Sequence, residues 1–309
     1  MASSASENFI VVDVLFGEPI PLEAMLDDLA TVMVIYLGEI HTIARHHRIQ
    51  TELLRRLSSK GVKLALGMEM FSEDQQAALD RWQKGKAGFR ELVKDLGEEK
   101  WTNLKDYQSL ITTARKLGVP IVGLNAPDDL VRKTAREGLD GLSESERAQV
   151  PPGVTEVNPQ YDRLLRLRLK VHKAFKHRAM ENIIVAQCVR DATMARALVR
   201  FLDSAEGEGR TMLVVAGSGH MNYGFGIPER VEALRPMPHR IAILSESGEL
   251  VLSEFEKKHS VPVEIRHEDL RFIRAPIADY LLVNPLKKKD AVPHDNGAPD
   301  RTAARRPTN

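Results

Sequence analysis

The chain has 309 residues, enough for one large α/β domain or two small ones. Apolar residues make up 43% and charged residues 28%, and the formal net charge is +1, so no global field favours nucleic acid. Cys188 is the single cysteine, which excludes an intrachain disulfide and a cysteine-rich metal cluster.

Residues 1–31 read as an N-terminal extension. Residues 1–8 are small and polar, without the charged and apolar regions of a secretory signal or a lipobox cysteine. No apolar run approaches the ~20 residues of a membrane helix. A cytoplasmic location without a transmembrane segment is therefore the expectation. From residue 32 onward, nearly continuous apolar runs at 32–37, 62–68, 119–124, 211–216 and 240–244 predict buried parallel strands. Helical periodicity lies between them, at 43–58, at 74–84 after a capping Ser72, at 106–117 ending before Gly118, and at 180–202. This alternation predicts an α/β fold over 32–284: a mostly parallel sheet flanked by helices. Residues 85–104 and 139–176 break the alternation and read as helical or loop segments inserted over one edge. The second insert carries a basic stretch, 163–176, either a solvated helix face or a clamp for an anionic ligand. Residues 285–309 are charged and poor in apolar residues, the composition of a disordered tail.

Polar side chains gather where the strands end. The first strand leads into Glu39 and His41, the second into Glu69, the third into Asn125 and the fourth into His220. In open α/β sheets the ligand crevice lies outside these ends. Glu39 and His41 are two residues apart and project to one side of an extended chain. They suit a carboxylate orienting an imidazole, or two ligands on one metal; the structural alternative is a helix cap beside a polar gap filler. His41, Glu69 and His220 form a candidate divalent-metal set. On the helical wheel of 180–202, Asp191 lies in the apolar stripe and requires a partner, Gln187 lies at its margin, and Arg190 flanks it. In the first helix His47 and Gln50 share a face with Ile43, Leu54 and Leu57, whereas His46 is placed on the surface.

The motifs resemble those of a known family. Tyr36-Leu37-Gly38-Glu39-Ile40-His41 with His47, Gly67-Met68-Glu69-Met70-Phe71 followed by Asp74-Gln75-Gln76, and Asn125-Ala126-Pro127 come first. The run from Gln187 through Arg190 and Asp191 to Ala195, Gly217-Ser218-Gly219-His220 continuing to Gly226-Ile227-Pro228, and Ala278-Asp279-Tyr280 complete the series in order. Together they are similar to the ChaN-like haem-binding uptake family of the Tiki superfamily, which is related to erythromycin-esterase-like hydrolases and Tiki metalloproteases. The resemblance implies haem as ligand, a role in iron uptake or haem handling, haem held between two subunits of a homodimer, and, in many members, a lipoprotein anchor. Many haem-associated members carry a basic residue and then a tyrosine ahead of the Gly-Val-Pro; here those places hold Asn222 and Phe225, and Tyr223 is the nearby tyrosine. The same residues allow a hydrolase: Glu39 and His41 activating water, with or without a divalent metal, beside Glu69 and His220, while Asn125 and Arg190 orient the substrate.

Overall fold

The computed structural model describes residues 9–97, 104–169, 177–245 and 265–283. The expected tail, part of the first insert (98–103) and part of the basic stretch (170–176) lie outside the described residues. In chain order the elements are β1 (Ile10–Asp13), β2 (Glu18–Ile20), α1 (Leu22–Leu29), β3 (Val34–Glu39), α2 (Ala44–Ser59), β4 (Leu64–Ser72), α3 (Gln76–Lys84), α4 (Phe89–Leu96), α5 (Gln108–Lys116) and β5 (Ile121–Asn125). They continue as α6 (Asp128–Glu137), α7 (Glu144–Arg147), α8 (Pro159–Leu169), α9 (His177–Leu202), β6 (Thr211–Gly217), α10 (Ile227–Leu234), β7 (His239–Ser245) and β8 (Tyr280–Val283).

These strands form one eight-stranded sheet in the order β2-β1-β8-β7-β3-β6-β4-β5. From β8 to β5 every neighbour pair is parallel, and β1 and β2 are added antiparallel. The side-chain period of two divides the core between the faces. Ile35 and Leu37 of β3, with Leu66, Met68, Leu213 and Val215, face α1 to α5, where Leu53, Leu54, Leu57, Leu110 and Ile111 are buried. Val34 and Tyr36, with Met212, Val214, Ile241 and Ile243, face α9 and α10. Burying each such Leu or Ile contributes about 1.5–3 kcal/mol. Cover on both faces explains why the strands read as unbroken apolar runs.

The five expected strands are all present, with ends shifted by up to four residues. Residues 9–31, expected to precede the domain, supply β1, β2 and α1 to it; β1 pairs with β8, and Met25, Leu26 and Leu29 are fully buried. In the first insert, α4 packs on α3, which covers edge strand β5. In the second, α8 packs on α9 and buries Tyr161, Leu164 and Leu165 in a third cluster with Ile184, Val189 and Phe225.

The strand that shapes the site is β4. It pairs with β6 only as far as Met68 against Val215. Against β5 its register moves from Met68–Gly123 to Ser72–Asn125, four steps along β4 (72 − 68) against two along β5 (125 − 123). Such a bulge leaves backbone groups unpaired and re-aims side chains. Here it frees Glu69, whose carbonyl accepts from Asn125 Nδ2 at 3.0 Å in place of a ladder bond. The bulge also presses Ser72 onto β5: a Cβ on Gly123 would lie 2.6 Å from the Ser72 carbonyl oxygen. Gly123→Ala should therefore lower stability by about 1–3 kcal/mol, the cost of overpacking against backbone, read as a fall in the urea midpoint at unchanged slope; an unchanged midpoint would show that the bulge is free to move.

Candidate functional site

The strand ends that carry the polar residues are neighbours in space, since β3, β6, β4 and β5 are consecutive in the sheet. Glu39 is the last residue of β3, and its side chain is fully buried. Its Oε1 accepts from the Tyr107 hydroxyl and from His41 Nδ1 at 2.9 Å, and its Oε2 accepts from Gln50 Nε2 at 2.5 Å. His47, also buried, lies 3.4 Å from the same Oε2 and has its ring 4.1 Å from that of Tyr107. His41 turns back across the rim, with 32% of its side chain exposed, so that Nε2 lies 3.6 Å from Glu69 Oε2. It can do so because residue 217 has no side chain: a Cβ on Gly217 would fall 2.8 Å from His41 Nε2.

Glu69 is the hub. Its carboxylate is 1% exposed and accepts from the Arg190 guanidinium at Oε1 and from the Gly217 N–H at Oε2, at 2.7 Å for the latter. His220 Nε2 lies 3.3 Å from Oε1. On its other side, His220 Nδ1 is 2.5 Å from Asp191 Oδ1 and 2.8 Å from Gln187 Nε2. Asp191 is fully buried and also accepts from the Tyr161 hydroxyl at 2.7 Å. Arg190 Nε donates to Asn125 Oδ1 at 3.2 Å, which ties Asn125 to the same hub. The result is an unbroken alternation of acid and imidazole: Glu39, His41, Glu69, His220, Asp191.

The carboxylates set the proton affinities. Burial depresses the His220 imidazole, but the charges and hydrogen bonds of Glu69 and Asp191 outweigh it and raise the pKa to about 9. His41 follows the same logic: burial opposes, while the Glu39 hydrogen bond and the Glu69 and Glu39 charges hold it above the usual 6.5. Glu69 is driven well below the carboxylate range, since the His220 and Arg190 charges overcome its burial. His47 goes the other way; burial dominates and keeps it neutral at pH 7.

The structure thus brings together Glu39, His41, His47, Glu69, Asn125, Arg190, Asp191 and His220. His46, expected on the surface, is fully buried and accepts the Ile40 N–H at 3.1 Å through Nδ1, because the first turn of α2 folds under the rim. Among the described residues no three His, Cys, Asp or Glu side chains are arranged to hold a metal ion. His41 and His220 each approach Glu69, and Arg190 lies on the same carboxylate, which would be the central ligand. Tyr223 stands apart from the chain of contacts, on the turn after His220, with its N–H on the Ile277 carbonyl at 2.9 Å. It is the only non-glycine residue with positive φ (64°) among the described residues, and the only one of the five tyrosines that is not buried. Phe225 is buried, with its ring centroid 5.8 Å from that of Tyr161 and 6.2 Å from that of Tyr223. The sequence reading missed Tyr107 and Tyr161; neither sits in a motif, and each meets its carboxylate only through tertiary packing.

A family model described as "Haem-binding uptake, Tiki superfamily, ChaN" matches residues 25–231. The chloroplastic protein RETICULATA-RELATED 5 of Arabidopsis thaliana is 25% identical over 253 residues, 74% of this chain, and the chain spans about a third (34%) of that relative's length. Among solved structures, ChaN of Campylobacter jejuni, described with cofacial haem, superposes with a TM-score of 0.67 at 21% identity, covering 91% of this chain and 98% of that one. An erythromycin esterase mutant gives 0.47 at 13% identity, over 78% and 76%. The C. jejuni likeness speaks to the fold. No helix among the described residues is long and apolar enough to cross a membrane.

His220 makes the arrangement testable through pH. Its folded pKa is raised from 6.5 to about 9, so its contribution to stability is complete below pH 6.5 and is lost as the pH rises through about 9. The urea midpoint should fall across that window. His220→Gln should be less stable at pH 6 and show a flatter profile from there to pH 9.5; parallel profiles for variant and wild type would show that no such proton is held.

Proposed function

The chain belongs to the haem-binding uptake family of the Tiki superfamily, and we propose from this that it binds haem, in iron uptake or haem handling. What supports the reading within the molecule is Tyr223. A tyrosine held in the left-handed region costs of order 1 kcal/mol or more and persists only where the surroundings impose it, a pattern associated with functional positions. Haem, if bound, would supply an iron that a side chain can ligate, and tyrosine is one of the side chains proteins use for this. Tyr223 would be that ligand. Leu270, Phe272 and Ile273, partly buried in the cluster that also holds Tyr223, would offer an apolar wall. The chain from Glu39 to Asp191 would hold the polar rim rigid beside it. Haem held between two copies of the chain is part of the same proposal.

One observation favours a second reading, a hydrolase. Glu39 fixes the His41 ring through Nδ1, and that ring is the most exposed member of the acid–imidazole chain. A base so oriented can take a proton from water once it is itself neutral. Since its pKa lies above 6.5, the rate would rise with pH beyond that value.

Haemin titration, chromatographic mass, metal content and ester turnover on the same preparation separate these readings. Haem binding should give a Soret band and a doubling of mass; Tyr223→Phe should shift the band and weaken binding at least ~10-fold, and His41→Ala should leave it intact. No Soret band in the wild type would reject the haem reading. Turnover lost by ~100-fold in His41→Ala would establish the hydrolase, and dependence of that turnover on a retained divalent metal would establish the metal alternative.

A further inference from the structure

Arg168 lies in the last turn of α8, partly buried, and its guanidinium reaches over the turn that follows β6. With the Asn222 amide oriented so that its nitrogen donates to the Ser218 carbonyl (2.8 Å), its oxygen accepts from Arg168 Nη2 at 2.7 Å. Gly219, next to His220, makes room: a Cβ there would stand 3.0 Å from Arg168 Nη1. Burial lowers the pKa of this guanidinium, against a smaller opposing influence of the nearby Tyr161 and Tyr223 hydroxyls. No described carboxylate is within ion-pair distance of it.

The other arginines of α8 show how unusual this is. Arg166 holds Asp162 through two hydrogen bonds and also engages Glu181, and Arg163 lies over the Phe272 ring at 4.3 Å. A guanidinium has five donors and is weakly hydrated, so it is suited to a planar anion, and partial burial without one is costly. Arg168 is drawn inward onto a backbone turn left bare by a glycine. It stands beside Tyr223, on the segment between the acid–imidazole chain and Phe225.

We infer that Arg168, with Asn222 orienting it over Gly219, receives a carboxylate of the bound ligand. This rests on the proposed haem reading to the extent that the carboxylate is then a propionate of the tetrapyrrole. The carboxylate completes the five-donor fork as Asp162 completes that of Arg166, and sets the ligand's orientation relative to Tyr223.

The test compares haemin with its dimethyl ester, in which both propionates are masked, on wild type, Arg168→Gln and Arg168→Lys. Wild type should prefer haemin by about tenfold or more, the range for a hydrogen bond to a charged group. Arg168→Gln should bind haemin no better than the ester, and Arg168→Lys should recover part of the preference. Both variants also lose or weaken the hydrogen bond from Arg168 to Asn222, so a modest fall in melting temperature is expected in each; a purely structural role would give that fall without separating the two ligands. Equal binding of haemin and ester by the wild type, or equal binding of haemin by wild type and Arg168→Gln, overturns the inference and leaves haem binding standing. If the wild type binds neither, the haem reading fails alone. The carboxylate site is then decided by the Nε–H resonance of Arg168, identified by its loss in Arg168→Gln: a saturable shift with propionate and none with propionamide supports the site, and no shift with either rejects it.

Discussion

A buried carboxylate with nothing to balance it costs several kcal/mol or becomes protonated, and Glu69 sits at 1% exposure in the middle of the sheet's rim. It stays charged because two hydrogen-bond donors, Arg190 from α9 and the Gly217 N–H at the end of β6, and two imidazoles, His220 from the turn that follows and His41 from the turn after β3, converge on it. Each comes from a different segment, so satisfying this one charge fixes the relative position of all of them. The bulge in β4 is the geometric condition for it, since a β4 that stayed in register with β6 beyond Met68 would commit the Gly217 N–H to the ladder. The absence of side chains at residues 217 and 123 follows from the same closeness of backbone and ring. The local irregularities of this fold therefore have a common origin in the placement of one carboxylate.

Much of this was legible in the sequence, for a physical reason. A parallel strand covered on both faces must be apolar throughout, so the five central strands announce themselves, and a charged residue where such a run stops can only be at the rim. Glu39, Glu69, Asn125 and His220 were found in that way, and the helical wheel placed Asp191 against the core. What was illegible depends on contacts between distant segments. Tyr107 is 68 residues from Glu39 and Tyr161 is 30 from Asp191; nothing in their local sequence distinguishes them from core tyrosines. β1 and β2 are four and three residues long, too short for a period to emerge; β1 is a strand because β8 offers an edge, and β2 because β1 then does. His46 was misplaced because helical periodicity assigns faces to a helix but does not know that its first turn lies under another loop.

The three histidines nearest Glu39 and Glu69 show that the environment, rather than the residue type, decides their chemistry. His41 and His220 each lie between two carboxylates and hold their protons above the ordinary value, His220 to about 9. His47 lies near Glu39 and packs on Tyr107, but burial outweighs the nearby carboxylates and keeps it neutral at pH 7. This bears on which ligands the rim accepts. A divalent cation bound by His41, Glu69 and His220 would have to take the proton from His220, which at pH 7 costs about two pH units or roughly 3 kcal/mol, and would have to displace Arg190 from Glu69. An anionic group meets no such barrier. The partly exposed His41 is the one member of the chain that meets solvent, and a negative charge brought near it favours the imidazolium it already tends to form. Within the rim three carboxylates face Arg190 and two histidines, while Arg168 beside it carries a positive charge that no described carboxylate balances. A ligand with an anionic margin fits that description.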